Sequence, residues 1–434
     1  MRALLAALLL AAAPAWGVEI TVVHSNDIHG WIMARPAPHN SERRIGGAAA
    51  LAAFYKKQPG PKLLLDAGDW FQGTPEGTLS RGQSLVDVFN AIPYDAVTMG
   101  NHDFDLGTAR LKELVAGMKM PVLSANVYEI KTHQRAPFLR PWIVKEVAGV
   151  KIGLFGLLTS KMPNLVFPED FAGLEVRDEV ASARDAVAAL KQEGATVIIM
   201  IGHVGYRSPE MAAFTSDQVI AERVPGIDLI VGGHMHQFLR RPYRDAQNGT
   251  LVVEAGFFLT AIGRVILDVD DKTGRLRSSS GELVDLWVDE TGSDSNVAAV
   301  VERYTAQVRD AYDVVIATAQ AALKRDLDRE SSLGDWATDC ERDWAGADVA
   351  IQNGRGLRAE MPAGPVTLRD IFNIMPFDNH MVILDMDGAL VREALEHGVD
   401  RSRALIQVAG ISFRYDRDGA RGRRISKIKI AGKP

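Results

Sequence analysis

Short apolar runs alternate with helix-period segments from Glu19 to about Asp270. Ile20–Val23, Leu63–Leu65, Ala96–Met99, Val122–Ala125, Ile152–Leu158, Val197–Ile201 and Leu229–Val231 predict buried strands, whereas Ala48–Lys57, Ser84–Ile92, Thr108–Met118 and Asp178–Glu193 carry helical spacing. That alternation predicts a layered α/β domain with its helices outside the sheet. Leu251–Ala255, Ile262–Val269 and Leu283–Val288 follow one another without helices, so part of the sheet is expected to be antiparallel. The polar stretch Asp289 to Asn296 leads into Val297–Asp313, where Val297, Val300, Val301, Tyr304 and Val308 keep helical spacing. The organisation is thus a first domain over 18–290, a connecting helix over 291–313 and a second, smaller α/β domain over 314–434, with helices near Ser332–Trp344 and Gly388–Val399.

The first residues stand apart. Met1-Arg2, the apolar run Ala3 to Ala13 and small residues up to Gly17 read as a secretory signal peptide over 1–17. The run is shorter than the roughly 20 apolar residues that span a bilayer, so a secreted chain is expected, periplasmic in a Gram-negative source, with no integral membrane association.

Composition narrows the classes further. The chain has 434 residues, 47% hydrophobic and 24% charged, proportions that exclude disorder, collagen or coiled coil as the main architecture. Forty-nine Lys plus Arg against 55 Asp plus Glu give −6, so no sequence-wide attraction to a nucleic-acid polymer exists, and any phosphate-binding charge must be local. The lone Cys340 excludes an internal disulfide and a multi-cysteine zinc site. Arg240-Arg241 and Arg421–Arg424 sit beside turn residues and read as solvated turns. No motif points to a protein partner.

The informative polar residues fall at strand ends. Asp27-Ile-His29 follows the first strand, Asp69 follows Leu63–Leu65, Asn101 follows Ala96–Met99, His203 follows Val197–Ile201, and His234-Met-His236 follows Leu229–Val231. The carboxyl ends of strands are where open α/β sheets bind ligands. In extended chain, residues two apart point to one side, so Asp27 with His29, and His234 with His236, are each expected to converge on one site. Carboxylate, amide oxygen and imidazole together suit borderline divalent metals, and seven ligands are too many for one ion. Two metals sharing a bridging ligand is the economical reading.

Together, Asp27-Ile-His29-Gly30, Gly68-Asp69, Gly100-Asn101-His102-Asp103-Phe104-Asp105, Gly202-His203 and Gly233-His234-Met235-His236 resemble the calcineurin-like metallophosphoesterases, and more narrowly the secreted 5′-nucleotidase family. The resemblance implies a four-layer α/β/β/α sandwich and two divalent ions, Mn, Zn or Co. It places Asp27, His29, Asp69 and His236 on one ion and Asp69, Asn101, His203 and His234 on the other, with Asp69 bridging. It further implies that His102 stabilises or protonates the departing oxygen while Asp105 orients and charges the imidazole. Asn353-Gly-Arg-Gly-Leu-Arg358 and Pro376-Phe377-Asp378-Asn379, preceded by Arg329-Glu-Ser-Ser-Leu-Gly334, look like that family's nucleoside-binding C-terminal domain. By that analogy Arg358 contacts the substrate, Phe377 with Asn379 holds the base, and Arg329 is a looser match. Arg355 stands where the family more often has glycine. Family C-terminal domains continue past a strand like Ile425–Ala431 into a Gly-Gly-Asp-Gly region, so a truncated domain is expected here, with Ser426–Ala431 as an edge strand in need of a partner and Phe377 offering one stacking face.

The bland readings are definite for several residues. Asp66 is expected to cap its strand end or support the ligands, and His24 to be a satisfied core histidine. His39, His133, His380 and His397 have no partner spacing and read as surface residues. The resulting expectation is a hydrolase releasing phosphate from small nucleotides. The alternatives are a 2′,3′-cyclic-nucleotide phosphodiesterase with 3′-nucleotidase activity, a nucleotide-sugar hydrolase, a thiosulfate-processing hydrolase of the same fold, and a non-catalytic extracellular binding protein.

Overall fold

A computed structural model of the chain describes residues 17–37, 40–207, 215–400 and 404–430. The segment read as a signal peptide, apart from Gly17, lies outside the described residues, as do His39 and Ala431. No helix among the described residues is long and apolar enough to cross a membrane.

Two sheets form the first domain. One has the spatial order Leu276–Asp285, Ala261–Asp270, Gly17–Ser25, Lys62–Asp66 and Ala96–Val97, with the last three strands parallel. The other runs Tyr243–Arg244, Leu251–Val253, Leu229–Gly232, Val197–His203, Val150–Leu158 and Trp142–Val147, parallel at its centre and antiparallel at both edges. The side-chain alternation of a strand decides how they stack. Ile20, Val22, Leu63, Leu65 and Leu267 face Ile152, Leu154, Ile199, Ile201 and Val231 in a core between the sheets. The opposite faces carry Val23 and Leu64 against Leu51, Phe89 and Leu111 on one side, and Phe155, Ile198 and Ile230 against Val180, Ala183 and Leu190 on the other. The result is α/β/β/α, the expected fold class, and it explains why the central strands read as unbroken apolar runs: both of their faces are covered.

The helices explain their own ends. Asp178 accepts the Ala181 N–H at the start of Glu179–Gln192, and Ser331 accepts the Gly334 N–H at the start of Ser332–Ala345, which stops at Gly346 in the left-handed region. Ser295–Tyr312 buries Val297 and Tyr304 in the first domain's helical layer, and the Tyr304 hydroxyl donates to Asp87 at 2.7 Å.

Several expectations need correction. Ala96–Met99 is a strand only over Ala96–Val97, because the chain then turns so that the Gly100 N–H reaches the Asp103 carboxylate. Val122–Ala125 forms isolated bridges rather than a strand, since it crosses between the sheets: Leu123 N–H donates to Val97 O and Ala125 N–H to Gly156 O, both at 2.8 Å. The strand read at Leu283–Val288 is Leu276–Asp285, an edge strand whose exposed serines hid its periodicity. In the second domain the strands form two-stranded sheets: Val315–Ala319 with Gly364–Thr367, Ala350–Gln352 with Gln407–Ala409, and Ile411–Tyr415 with Ile425–Ile430. The segment expected to lack a pairing partner therefore has one along Ile411–Tyr415.

His24 is in the core but is not satisfied. Among the described residues both ring nitrogens lack a partner, and the ring lies over Gly263, where an added Cβ would meet Nε2 at 1.7 Å. Burial pushes its pKa down to about 3. The unfolded chain therefore takes up a proton below pH 6.5 that the folded chain refuses, so this residue removes stability as pH falls from about 6.5 towards 3. His24→Leu is expected to flatten the loss of stability between pH 7 and 5 by about 1 kcal/mol per pH unit below pH 6. Urea unfolding midpoints of both chains across that range read it directly, and equal slopes would refute this account.

Candidate active site

The loops that leave the parallel strands carry the expected ligands in an unusual backbone state. Asp27 (φ 50), His29 (φ 51), Asp69 (φ 59), His234 (φ 81) and His236 (φ 59) all lie in the left-handed region, which costs a non-glycine residue about 1–2 kcal/mol. Neighbouring loops hold this conformation in place. The N–H groups of Asp27, His29 and Gly30 donate to Gly68 O, Asp69 O and Trp70 O at 2.9, 3.0 and 2.8 Å, and Phe258 N–H donates to Asp27 O at 2.8 Å. Asp103 ties the second loop to the third: its buried carboxylate accepts N–H from Asp69, Trp70 and Gly100 at 3.0, 2.8 and 2.7 Å.

This geometry corrects the pairing expected from an extended chain. The left-handed turns send His234 and His236 to different places. Asp27, His29 and His236 form one group and Asp69, His203 and His234 the other, each with ligand atoms within 4.8 Å of one another. Asp69 lies between the groups, its Oδ2 3.2 Å from His203 Nε2 and 3.6 Å from His29 Nε2. Asn101 is buried beside them, its Oδ1 without a hydrogen-bond partner among the described residues, and the neighbouring His102 N–H donates to Asp69 Oδ1 at 2.9 Å.

These residues fit divalent cations. His29 Nδ1 faces Gln72 O at 2.8 Å and His203 Nδ1 faces Ala67 O at 2.6 Å, so each of these nitrogens carries the proton. In the neutral rings Nε2 is then a bare lone pair turned towards carboxylates, and His236 Nε2 lies only 3.1 Å from His29 Nε2. Lone pairs and carboxylates converge this way only around positive charge. Burial opposes protonation of His203, yet the Asp69 carboxylate, with Asp27, raises its pKa to about 10: without a cation, a proton is drawn in. Burial pushes His234 down to about 3 and His29 and His236 well below their ordinary value, leaving them as neutral donors. Burial also raises Asp27, while Asp69 stays well below the carboxylate range because His203 and His102 outweigh its burial.

His102 begins the short 3₁₀ turn His102–Phe104, and its Nδ1 lies 2.8 Å from Asp105 Oδ2. Burial works against its charge, but Asp105 and then Asp69 outweigh that and raise its pKa. The second domain reaches the same place. Arg358 is half-buried, with Nη2 3.1 Å from His29 Nε2 and its guanidinium 5.6 Å from the Phe377 ring, and Phe377 lies 5.5 Å from the His102 ring. Asn379 and Arg329 are both exposed. Asp66 accepts from Ser25 Oγ and Gly68 N–H, as a strand-end support should. His133, His380 and His397 are exposed.

Sequence reasoning left three residues without a role. Asp103 lies inside the Asn101–Asp105 motif, where its position between two ligand loops was the available signal. Arg325 donates from Nη1 to Arg358 O at 2.9 Å, and with Arg355 it adds positive charge beside His236. Gln72 accepts from His29 through its backbone and donates its side-chain amide to Pro376 O at 3.0 Å.

Strand-end donors converging in two groups, a His–Asp pair beside them and an α/β/β/α scaffold define a metal-dependent phosphoester hydrolase. The chain belongs to the calcineurin-like phosphoesterase family, whose model matches residues 20–238, and residues 310–434 match the 5′-nucleotidase C-terminal domain. It is 28% identical to Protein UshA of Yersinia enterocolitica over 98% of this chain and 85% of that protein. It is 27% identical to the trifunctional nucleotide phosphoesterase YfkN of Bacillus subtilis over 95% of this chain, although it spans only 30% of that protein's length. The solved 5′-nucleotidase precursor of Thermus thermophilus superposes with a TM-score of 0.84 at 28% identity, covering 95% of this chain and 85% of that one.

Asp103→Asn keeps one acceptor oxygen and sets an amide NH₂ against the backbone N–H of Trp70, or against those of Asp69 and Gly100. It is expected to weaken metal binding about 10- to 100-fold without removing any ligand, as loss of a support behind a ligand does. Metal titration of the folded variant measures this; unchanged affinity would show that Asp103 does not hold the ligand loops.

Proposed function

We propose that the chain releases phosphate from nucleotides, most simply nucleoside 5′-monophosphates, at a two-metal centre. The carrying observation is that Arg358 of the second domain reaches His29 and Phe377 packs beside His102, so that a cation and an aromatic face stand beside the same centre. The names of the relatives support nucleotides as the substrate class. The leader Ala3–Ala13 makes secretion part of the proposal.

On this reading Asp27, His29 and His236 hold one ion and Asn101, His203 and His234 the other, with Asp69 shared. When bound, two divalent ions supply Lewis acidity towards the phosphoryl oxygens and a water acidic enough to attack at neutral pH. The protein's residues do the rest. Arg358, whose Nη2 reaches His29, offers a planar pair of donors for the phosphoryl charge. His102, held by Asp105 through Nδ1, keeps Nε2 for the departing oxygen and delivers the proton that a ribose alkoxide needs. Phe377 gives the base a stacking face that is tolerant of base identity. A panel of a nucleoside 5′-monophosphate, a 2′,3′-cyclic nucleotide and a nucleotide sugar, with Mn, Zn or Co added, separates this reading from its neighbours; phosphate release from the first substrate is the expected dominant activity.

His102→Ala is expected to retain metal and lose on the order of 10²–10⁴ in kcat, the range for a positioned proton donor. The loss should be smaller for p-nitrophenyl phosphate, whose leaving group needs little protonation. Equal losses on both substrates would place His102 on the phosphoryl group and overturn its role as the acid.

A further inference from the structure

The loop after Asp69 carries more than a metal ligand. Three residues beyond Asp69, Gln72 is 4% exposed and faces two ways: its backbone carbonyl accepts from His29 Nδ1 at 2.8 Å, and its side-chain Nε2 donates across the domain boundary to Pro376 O at 3.0 Å. Pro376 immediately precedes Phe377. The N–H of Met375 closes the helix Leu368–Ile374 on Ile371 O, and beyond it neither Phe377 nor Asp378 makes a hydrogen bond among the described residues. The Gln72 amide is therefore the directional tie closest to the Phe377 ring.

The loop itself cannot slide. A Cβ at Gly73 would meet His29 O at 2.6 Å, one at Gly77 would meet Phe71 O at 1.9 Å, and Thr74 Oγ1 donates to Gly30 O at 2.8 Å. Four residues beyond Gln72, the buried Glu76 holds a second-domain residue, Arg369, at 2.6 Å, so the loop grips that domain at two points. A rigid element thus runs from the shared carboxylate, past a histidine ligand, to the segment that carries the aromatic face.

We propose that Gln72 is a positioning residue that sets Phe377 relative to the metal-side groups and so tunes discrimination for the base of the substrate. This rests on the reading of Phe377 as the base-stacking face. Ribose 5-phosphate has the same leaving alcohol as a nucleoside 5′-monophosphate but no base, so it reports the centre without the platform. Loss of the amide donor should act on ribose 5-phosphate far less than on the nucleotide.

The test compares KM for the two substrates in the full-length, metal-loaded enzyme, with bound metal measured for each variant. Gln72→Leu, and Gln72→Met as a longer substitute without a donor, are expected to raise the KM ratio of nucleotide to ribose 5-phosphate about threefold to tenfold, the effect of one lost hydrogen bond. Phe377→Ala should raise that ratio at least as much, and Gln72→Leu should add nothing to it in the Phe377→Ala background, because a positioning residue has no effect once what it positions is gone. If Phe377→Ala raises the ratio while the Gln72 variants move both substrates equally, or if the two effects simply add, Gln72 is a packing residue and this inference falls alone. If Phe377→Ala leaves the ratio unchanged, the platform reading fails and the inference fails with it.

Discussion

The site depends on backbone that its own side chains disfavour. Five ligand residues adopt left-handed φ, a state that is costly for each of them in a free loop. They keep it because adjacent loops hydrogen-bond to each other: Asp27, His29 and Gly30 lean on Gly68, Asp69 and Trp70, and Asp103 draws in the loop that bears Asn101. The strands supply the anchor, since Ser25 pairs with Asp66 and Asp66 with Val97, so three of these loops leave from one level of one sheet. Strain of this kind persists only where the surroundings over-determine the conformation, and it marks a place where geometry has been fixed for chemistry.

Charge is the second constraint. Two carboxylates and four imidazoles are packed where water is largely excluded, and the carbonyls of Gln72 and Ala67 fix the tautomers of His29 and His203 so that lone pairs face inward. Such an array is stable only with positive charge at its centre. The second domain contributes to that balance from outside: Arg358 reaches His29, backed by Arg325, and burial pushes the Arg358 pKa down to about 10. A substrate phosphate would relieve this crowding of cations, which is a physical reason for the two domains to meet at this point.

How much of this was legible in the sequence follows from the same physics. The central strands showed themselves because both of their faces are buried, and the ligands showed themselves because polar residues stood where those apolar runs ended. The edge strand Leu276–Asp285 was shifted in the reading because one face is wet and rich in serine. Val122–Ala125 looked like a strand because it is buried, yet it bridges two sheets and belongs to neither. The separation of His234 from His236 could not be read from spacing, because alternation assumes extended backbone and the turn there is left-handed. Asp103 and Gln72 act through backbone groups far away in sequence, which no local pattern encodes. Arg329 and Asn379 entered through motif likeness, and the fold leaves both exposed.

If the two donor groups around Asp69 each hold an ion and both ions are needed for phosphoester hydrolysis, metal content and turnover must rise together. The decisive titration adds Mn or Zn to metal-free protein and reads bound ion per chain and phosphate release from a nucleoside 5′-monophosphate in the same samples. Saturation is expected at two ions per chain, with turnover appearing as the second group fills. Full turnover at one ion per chain, or in the metal-free protein, would contradict it.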